Sequence, residues 1–430
     1  MSVYPTQKLA TNLGRPVRYK TPLVAFATSV VLFTAAGCNS DVETQPEVEP
    51  VPDTQSDVEV EPVANPTLER PTDAEFLAFM VYHHMKYMET TAREAGGTNK
   101  LLHTKKLPTE GTDPVVTPAL DHIYTKAVVD LTEGPVTVTF PEVEDKNRYF
   151  SIHITDEEHY TIFDEFFPKG SYTFVRAGEN MVVPAGSKAI ETTGDYPHLF
   201  IRVQVYTSND LPKVHEIQEQ ISLEGVSKQL TIENPIEFTL KNRDVYPRNK
   251  AYLEAEIDFS EEDYLRVSQY IGANAPKYAA SGNFGKFGPI DSTEKGSDEM
   301  DNRASGIVGH LGFPVHHAYY QPYFTNCDDE VLMGDNTEVF TFPYEPEGVE
   351  LFWSMTRYSA ITRNTLPGKN DLINAYNTKP DAEGNITVTF SVEHPDDGTY
   401  WMPVIAGEPY YFVMRYYKPD LDNLPQKPCN

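Results

Sequence analysis

Thr341–Tyr358 reads TFPYEPEGVELFWSMTRY, and the reading of this stretch decides the fold. It holds the end of one strand (Thr341-Phe342-Pro343), a short acidic connection with a second proline, and an aromatic strand that enters at Phe352-Trp353-Ser354. Thr139-Phe140-Pro141 says nearly the same thing, leading through EVEDKN into Arg148-Tyr149-Phe150-Ser151. The Pro-to-Ser spacing of the two copies differs by one residue. Each copy reads as a central strand pair of a β-sandwich, with Phe352 and Trp353 serving core and interface. A second block repeats in the same order. Pro197-His198-Leu199-Phe200-Ile201-Arg202 is answered by Pro409 to Arg415, and the two strands end on Tyr206 and Tyr417. Two matched blocks predict two related sandwiches. Convergence within the restricted vocabulary of β-strands is the alternative.

Outward from these blocks the period stays at two. Val136, Val138 and Phe140 alternate with threonines, and strands are expected at Tyr149–Thr155, Tyr172–Arg176, Met181–Pro184 and Leu199–Tyr206. In the second half Ile386, Val388, Phe390 and Val392 alternate behind a hairpin turn at Asp381–Asn385, and Tyr410–Tyr417 is the last strand. Helices flank the strands. Thr72 caps one with Phe76, Phe79, Met80, His83 and Tyr87 on one face, ended by Gly96-Gly97. Asn209 or Asp210 caps a second, carrying Leu211, Val214, Ile217 and Ile221, and Ser260-Glu261-Glu262-Asp263 opens a third. His83 and His84 are neighbours on the first helix, point in different directions and read as ordinary helix residues.

With 430 residues, two domains plus accessories are expected, and 12% aromatic residues suit strands better than bundles. The formal charge is −29, and removing the four cations of residues 1–37 (Lys8, Arg15, Arg18, Lys20; no acid) leaves −29 − 4 = −33. So acidic a surface repels phosphate backbones and excludes nucleic acid as a partner. The apolar run Leu23–Ala36 is short for a membrane span and stops at Ala35-Ala36-Gly37-Cys38. This resembles a bacterial lipoprotein signal, departing from the commonest pattern at Ala35. The resemblance implies acylation of Cys38 after cleavage, with anchoring in the cell envelope on the periplasmic side or the surface, and Asn39 leans toward the outer membrane. An ordinary cleaved signal is the alternative. Residues 39–65 are rich in Pro, Asp and Glu, lack Lys and Arg, and read as an extended tether. In an oxidising envelope Cys327 and Cys429 are a disulfide candidate, with two separate thiols equally open.

The expected order is therefore a signal (1–37), an acidic Pro-rich tether (38–70), a helical lead-in (71–114), a first sandwich (115–223), a helical and loop-rich segment (224–316) and a second sandwich (317–430).

These residues also carry a family likeness. Asp121-His122-Ile123-Tyr124, Asp130-Leu131, Gly134-Pro135, Arg148 to Ser151, Asp156, Arg202, Asp210-Leu211 and Gln218 resemble the domain of unknown function numbered twelve fifty-four. Phe352 to Thr356, Tyr358, Asp381, Gly384, Trp401-Met402-Pro403, Gly407, Arg415, Tyr417 and Pro419 resemble its usual C-terminal partner, twelve fourteen. The resemblance implies a mainly β protein: an immunoglobulin-like sandwich, a helical section and a jelly-roll-like sandwich. It implies no activity. Relatives show Asn-x-Asp-Thr-x-Tyr-Ser before Tyr124; here Ala119, His122 and Thr125 replace three of those residues, so any role of that loop is in doubt.

Chemical motifs are few. There is no Gly-x-Ser-x-Gly, no His-Glu-x-x-His and no Walker motif, and His215 to Glu219 reads as a surface helix pair. Gly282, Gly285 and Gly288 are loop glycines. No cofactor and no metal site is expected. The remaining constellation is Asp121, His122 and Tyr124 with His310, His316 and His317, residue types suited to acid–base work or to a metal, on loops near domain edges. Turn-capping or surface histidines are the plain alternative. Arg148, Arg202 and Arg415 read as stacking or pairing residues of aromatic strands rather than anion binders, and Trp353 and Trp401 as packing residues rather than a sugar platform.

Two functions follow from the sequence. One is a tethered envelope lipoprotein that binds a glycan, a small ligand or a protein without chemistry. The other is a hydrolase-like envelope enzyme with an Asp/His/Tyr site between the domains. A homo-oligomer stays open.

Overall fold

The computed structural model describes residues 68–108, 117–242, 250, 258–274, 277–278, 287–289, 299–306, 310–366 and 372–427. The proposed signal, Cys38, most of the tether, Cys429, Gly282 and Gly285 lie outside them. Cys327 takes part in a disulfide.

Helix α1 (Asp73–Ala95) begins at a capping box. The Glu75 N–H donates to Thr72 Oγ1 at 3.2 Å, and the Thr72 N–H donates to the Glu75 carboxylate at 2.7 Å. Gly96, at φ 86°, closes the helix in the left-handed region. The sequence marks one apolar face, but burial on α1 is wider than that stripe, with Leu77, Ala78, Val81, His84, Met85 and Met88 also inside. One core joins it to α3 (Pro235–Asn242), α4 (Glu261–Ala273) and α5 (Met300–Ala304), and Val128 of the first sandwich closes the other side. Between these layers His84 is fully buried and His83 partly so, while Arg93 and Glu94 at the end of the helix stay exposed.

The first sandwich runs β1 (Leu102–His103), β2 (His122–Val128), β3 (Val136–Phe140), β4 (Phe150–Thr155), β5 (Thr161–Phe166), β6 (Gly170–Arg176), β7 (Lys188–Thr192), β8 (His198–Gln204) and, after α2 (Leu211–Glu219), β9 (Ser222–Glu224). Its sheets are ordered β1-β2-β8-β4-β5 and β7-β6-β3-β9. The second runs β10 (Ala318–Tyr323), β11 (Glu338–Pro343), β12 (Trp353–Ser359), β13 (Leu372–Asn374), β14 (Asn385–Ser391), β15 (Tyr400–Pro403) and β16 (Tyr410–Tyr417), in sheets β10-β16-β12-β13 and β11-β14-β15. Strands β2 to β8 and β10 to β16 share one connectivity, strand for strand. Even the parallel pair recurs, β6 with β7 and β14 with β15. Registers match as well: Ser151 lies opposite Arg202, and Ser354 opposite Arg415.

Five expectations change. The Thr-Phe-Pro strand and its aromatic successor are not paired: β3 and β4, like β11 and β12, lie in opposite sheets, so each connection crosses the sandwich. Strand β2 replaces the expected Asp/His/Tyr loop, and all seven of its residues are buried. Met181–Pro184 is not a strand; β7 starts after the turn at Gly186, where φ is 85°. The Asp381 turn is real, with Asp381 Oδ1 accepting the Asn385 N–H at 2.8 Å, but it links strands of different sheets rather than a hairpin. Asp210 does not cap α2 with its side chain. Its carboxylate receives both terminal nitrogens of Arg148 at 2.5 and 2.9 Å, a stronger claim on it than a backbone N–H.

Candidate acid–base site between the sandwiches

Alternation along the central strands sorts side chains onto two faces. Ile123, Ala127, Phe150, Ile152, Ile154, Leu199, Ile201 and Val203 fill the first core. The other face of the same strands carries His122, Tyr124 and Lys126; Ser151, His153 and Thr155; and His198, Phe200, Arg202 and Gln204. All of these are buried. The second sandwich does the same. Trp353, Met355, Phe412, Met414 and Tyr416 fill its core, while Ser354, Thr356, Tyr358, Arg415 and Tyr417 face the other way and are buried too. Outer faces of antiparallel sheets are commonly wetted. Here the repeated faces meet. Tyr149 and its counterpart in the repeat, Phe352, pack with ring centroids 5.6 Å apart, and Tyr417 lies 5.0 and 4.2 Å from them.

Three groups form a chain in this layer. The Tyr149 hydroxyl lies 2.9 Å from His317 Nε2, and His317 Nδ1 lies 2.8 Å from Asp164 Oδ2. His316 Nε2 reaches the same carboxylate at 3.0 Å from the exposed side. The His317 ring sits between Phe313, parallel at 3.6 Å, and Phe166 at 3.7 Å. That burial pulls its pKa down to about 4, against the upward pull of Asp164. Burial acts to raise Asp164, yet the hydrogen bonds from His316 and His317 hold it well below the usual carboxylate range. An ionised Asp164 accepts only, so neutral His317 carries its proton on Nδ1 and Nε2 accepts the Tyr149 O–H. Burial pushes the Tyr149 hydroxyl well above its ordinary value, so it rests protonated.

Beside this chain lie buried polar atoms that lack a hydrogen bond among the described residues. The His122 ring is 5.1 Å from that of Tyr149 and 5.4 Å from that of Tyr417. His122 Nδ1 and Asp121 Oδ1 are 2.9 Å apart, both fully buried, but not aligned for a hydrogen bond. Burial acts to raise Asp121, and the charges of His122 and Arg415 bring it below its ordinary value. Arg415 Nη2 donates to Thr117 O and to the Tyr358 hydroxyl at 2.8 Å each. Its Nη1, both Asp121 oxygens and both His122 nitrogens lack a hydrogen-bond partner among the described residues. Buried polar atoms of a native protein are nearly always satisfied, so this group is a candidate place for a bound water or polar ligand.

The expected constellation is thus divided. His122 and His317 meet through Tyr149. His316 is half exposed and secures Asp164. Tyr124 stacks on Phe200 at 5.0 Å, and its hydroxyl donates to Ala119 O at 3.2 Å. His310 belongs elsewhere: its Nε2 lies 2.9 Å from His84 Nδ1, on the helix whose histidines read as ordinary. Arg148 is structural, stacked on Tyr206 at 4.4 Å and paired with Asp210. Arg202 stacks on Phe200 and Phe313 at 4.4 and 3.9 Å. Trp353 is core, with Nε1 donating to Tyr344 O at 2.7 Å, and His215 reaches Lys105 O at the surface. Tyr149 read only as a strand residue of the repeat, and Asp164 was not singled out. The signal for Tyr149 is the run of polar residues at alternate positions after it (Ser151, His153, Thr155), and Asp164 has no such signal.

The protein of unknown function model DUF1254 matches residues 98–225, and DUF1214 matches residues 317–421. The chain therefore carries matches to these two domains in tandem, in that order. The chain is similar to the VPA0106 protein from Vibrio parahaemolyticus, a crystal structure, at 20% identity and a TM-score of 0.63, over 82% of this chain and 95% of that one. It also matches a putative uncharacterized protein from Burkholderia cenocepacia, at 14% identity and a TM-score of 0.45, over 80% and 84% of the two chains. No curated protein matches the chain. The first of these likenesses speaks to the fold alone. No helix among the described residues is long and apolar enough to cross a membrane.

Proposed function

We propose that this DUF1254–DUF1214 protein is an envelope lipoprotein that takes a small polar molecule between its two sandwiches and carries out acid–base chemistry on it, of the hydrolytic kind. The observation that carries the reading is the Tyr149–His317–Asp164 chain beside the buried Asp121–His122 pair and Arg415, whose Nη1 makes no hydrogen bond among the described residues. A tyrosine alone is a poor base at neutral pH. As the Tyr149 oxygen takes a proton from an attacking water, its own proton passes to His317 Nε2, so the water becomes nucleophilic without a free phenolate forming. Asp164 fixes the tautomer and supports the imidazolium formed in passing. Arg415 Nη1 is an unspent donor for a developing oxyanion. The half-exposed His316 gives this chain a route to bulk water.

Thermal-shift screening of short carboxylates, with hydrolysis of small aryl esters, tests the reading. Tyr149→Phe and His317→Gln should lower turnover by roughly 10²-fold, the scale of one general base, while His215→Gln leaves it unchanged. Turnover indifferent to both substitutions would reject the acid–base reading. The second reading, binding without chemistry, is favoured by the full burial of Tyr149, Asp121 and His122. It predicts thermal shifts that Arg415→Met abolishes, with no turnover of any ester. The envelope part of the proposal rests on the Ala-Ala-Gly-Cys pattern, and a Cys38→Ala variant that stays in the membrane fraction would overturn it.

A further inference from the structure

Five of the chain's 12 histidines gather at the other end of the same buried face. His83 and His84 come from α1, His159 from the turn between β4 and β5, His198 from the start of β8, and His310 from the segment before β10. Ring centroids lie 5.0 Å apart for His84 and His159, 5.2 Å for His84 and His310, and 4.7 Å for His159 and His310. One ligand atom from each of these three falls within 4.8 Å of the others.

The pocket is built rather than accidental. His159 holds φ 67°, a strained value for a side-chain-bearing residue, and Leu311 holds φ 65°. Asp156 fixes the His159 turn, with Oδ1 accepting the N–H groups of Glu158 and Tyr160 at 2.9 Å each. His310 Nδ1 and both nitrogens of His198 have no hydrogen-bond partner among the described residues, and His198 is fully buried.

We propose that His84, His159 and His310 bind a divalent transition-metal ion of the zinc type, with His198 beside them as the fourth donor or its neighbour. Neutral imidazoles suit zinc, and burial keeps all four rings neutral, the form that coordinates. Two nitrogens on one tetrahedral zinc stand about 3.3 Å apart, from Zn–N bonds of about 2.05 Å. His84 Nδ1 and His310 Nε2 stand at 2.9 Å, a few tenths of an ångström inside that spacing, and the His159 ligand atom lies within 4.8 Å of both, so the ion draws His159 inward. The inference is independent of the acid–base reading, because none of these residues belongs to the Tyr149 chain.

One neighbour reports on loading. The Leu311 N–H donates to His159 Nε2 at 3.0 Å. Coordination at Nε2 displaces that donor. Coordination at Nδ1 moves the ring proton to Nε2, which then cannot accept. Either way the Leu311 amide is released.

The test uses the full chain, stripped with chelator and titrated with zinc. Calorimetry should show one ion per chain, and the Leu311 amide signal should move with the same saturation. His84→Gln and His310→Gln should each weaken uptake at least tenfold, and His215→Gln, at the surface, should not. Uptake below a fifth of an ion per wild-type chain would overturn the proposal, and so would a Leu311 signal that ignores the metal. Uptake that survives both substitutions would assign the metal to the acidic surface and overturn it equally. The first two readouts need only the wild-type chain, so a variant that fails to fold leaves the test intact.

Discussion

A histidine clamped between two phenyl rings is the most informative residue of this protein. His317 has no water to solvate a positive charge, so its neutral form is enforced by Phe313 and Phe166 and its tautomer by Asp164. Removing the Tyr149 hydroxyl leaves Nε2 as a buried acceptor without a donor. Tyr149→Phe should therefore cost about 1–3 kcal/mol, read by chemical denaturation, even though the ring is kept. A change within about 0.5 kcal/mol would mean that the hydroxyl makes no bond in solution. In the sequence His317 looked no different from His316. Only the placement of Phe166, about 150 residues away in the chain, separates a buried relay from a surface imidazole. Residue types were legible here; burial was not, because it is decided by contacts distant in sequence.

At the scale of elements, the strands were the legible part. Alternation found β3, β4, β6, β8, β14 and β16, because one face of each is apolar. It missed β2, whose His122, Tyr124 and Lys126 look like a polar loop until the second layer that covers them is known. The same cause misjudged α1. Its apolar stripe was legible, but the burial beyond that stripe comes from helices α3 to α5 and from β2. Met85 lies on the part of α1 outside the expected stripe and is fully buried. Met85→Ala should cost about 2–5 kcal/mol, as for a core methionine, where a surface reading of that position predicts a change near zero; urea unfolding distinguishes the two. The repeat was legible as words but not as pairing. Thr-Phe-Pro marks a crossing between sheets, which spacing alone cannot separate from a hairpin.

Across the whole molecule, buried neutral histidines set the response to acid. His317 is depressed from 6.5 to about 4, and His153 is driven well below its ordinary value, first by burial and then by Arg202. Between those values the unfolded chain binds more protons than the folded one, so stability rises with pH and is lost as pH falls from about 6.5 toward 4. A shift of that size corresponds to roughly 3 kcal/mol for His317. Asp164 acts lower, because its depressed value removes stability only as pH falls below 3.8. Thermal midpoints should therefore drop between pH 6.5 and 4.5, and a His317→Phe variant should show a shallower drop. A midpoint flat over that range would contradict the burial of these rings.

The central claim is that Tyr149, His317 and Asp164 form one proton chain in the layer between the repeated faces. Nitrogen-15 spectra of the His317 ring test it most directly. The account predicts a neutral imidazole with its proton on Nδ1 from pH 8 down to about 5, and an Nε2 resonance that shifts in Tyr149→Phe. A ring protonated at pH 7, or one carrying its proton on Nε2, would contradict it.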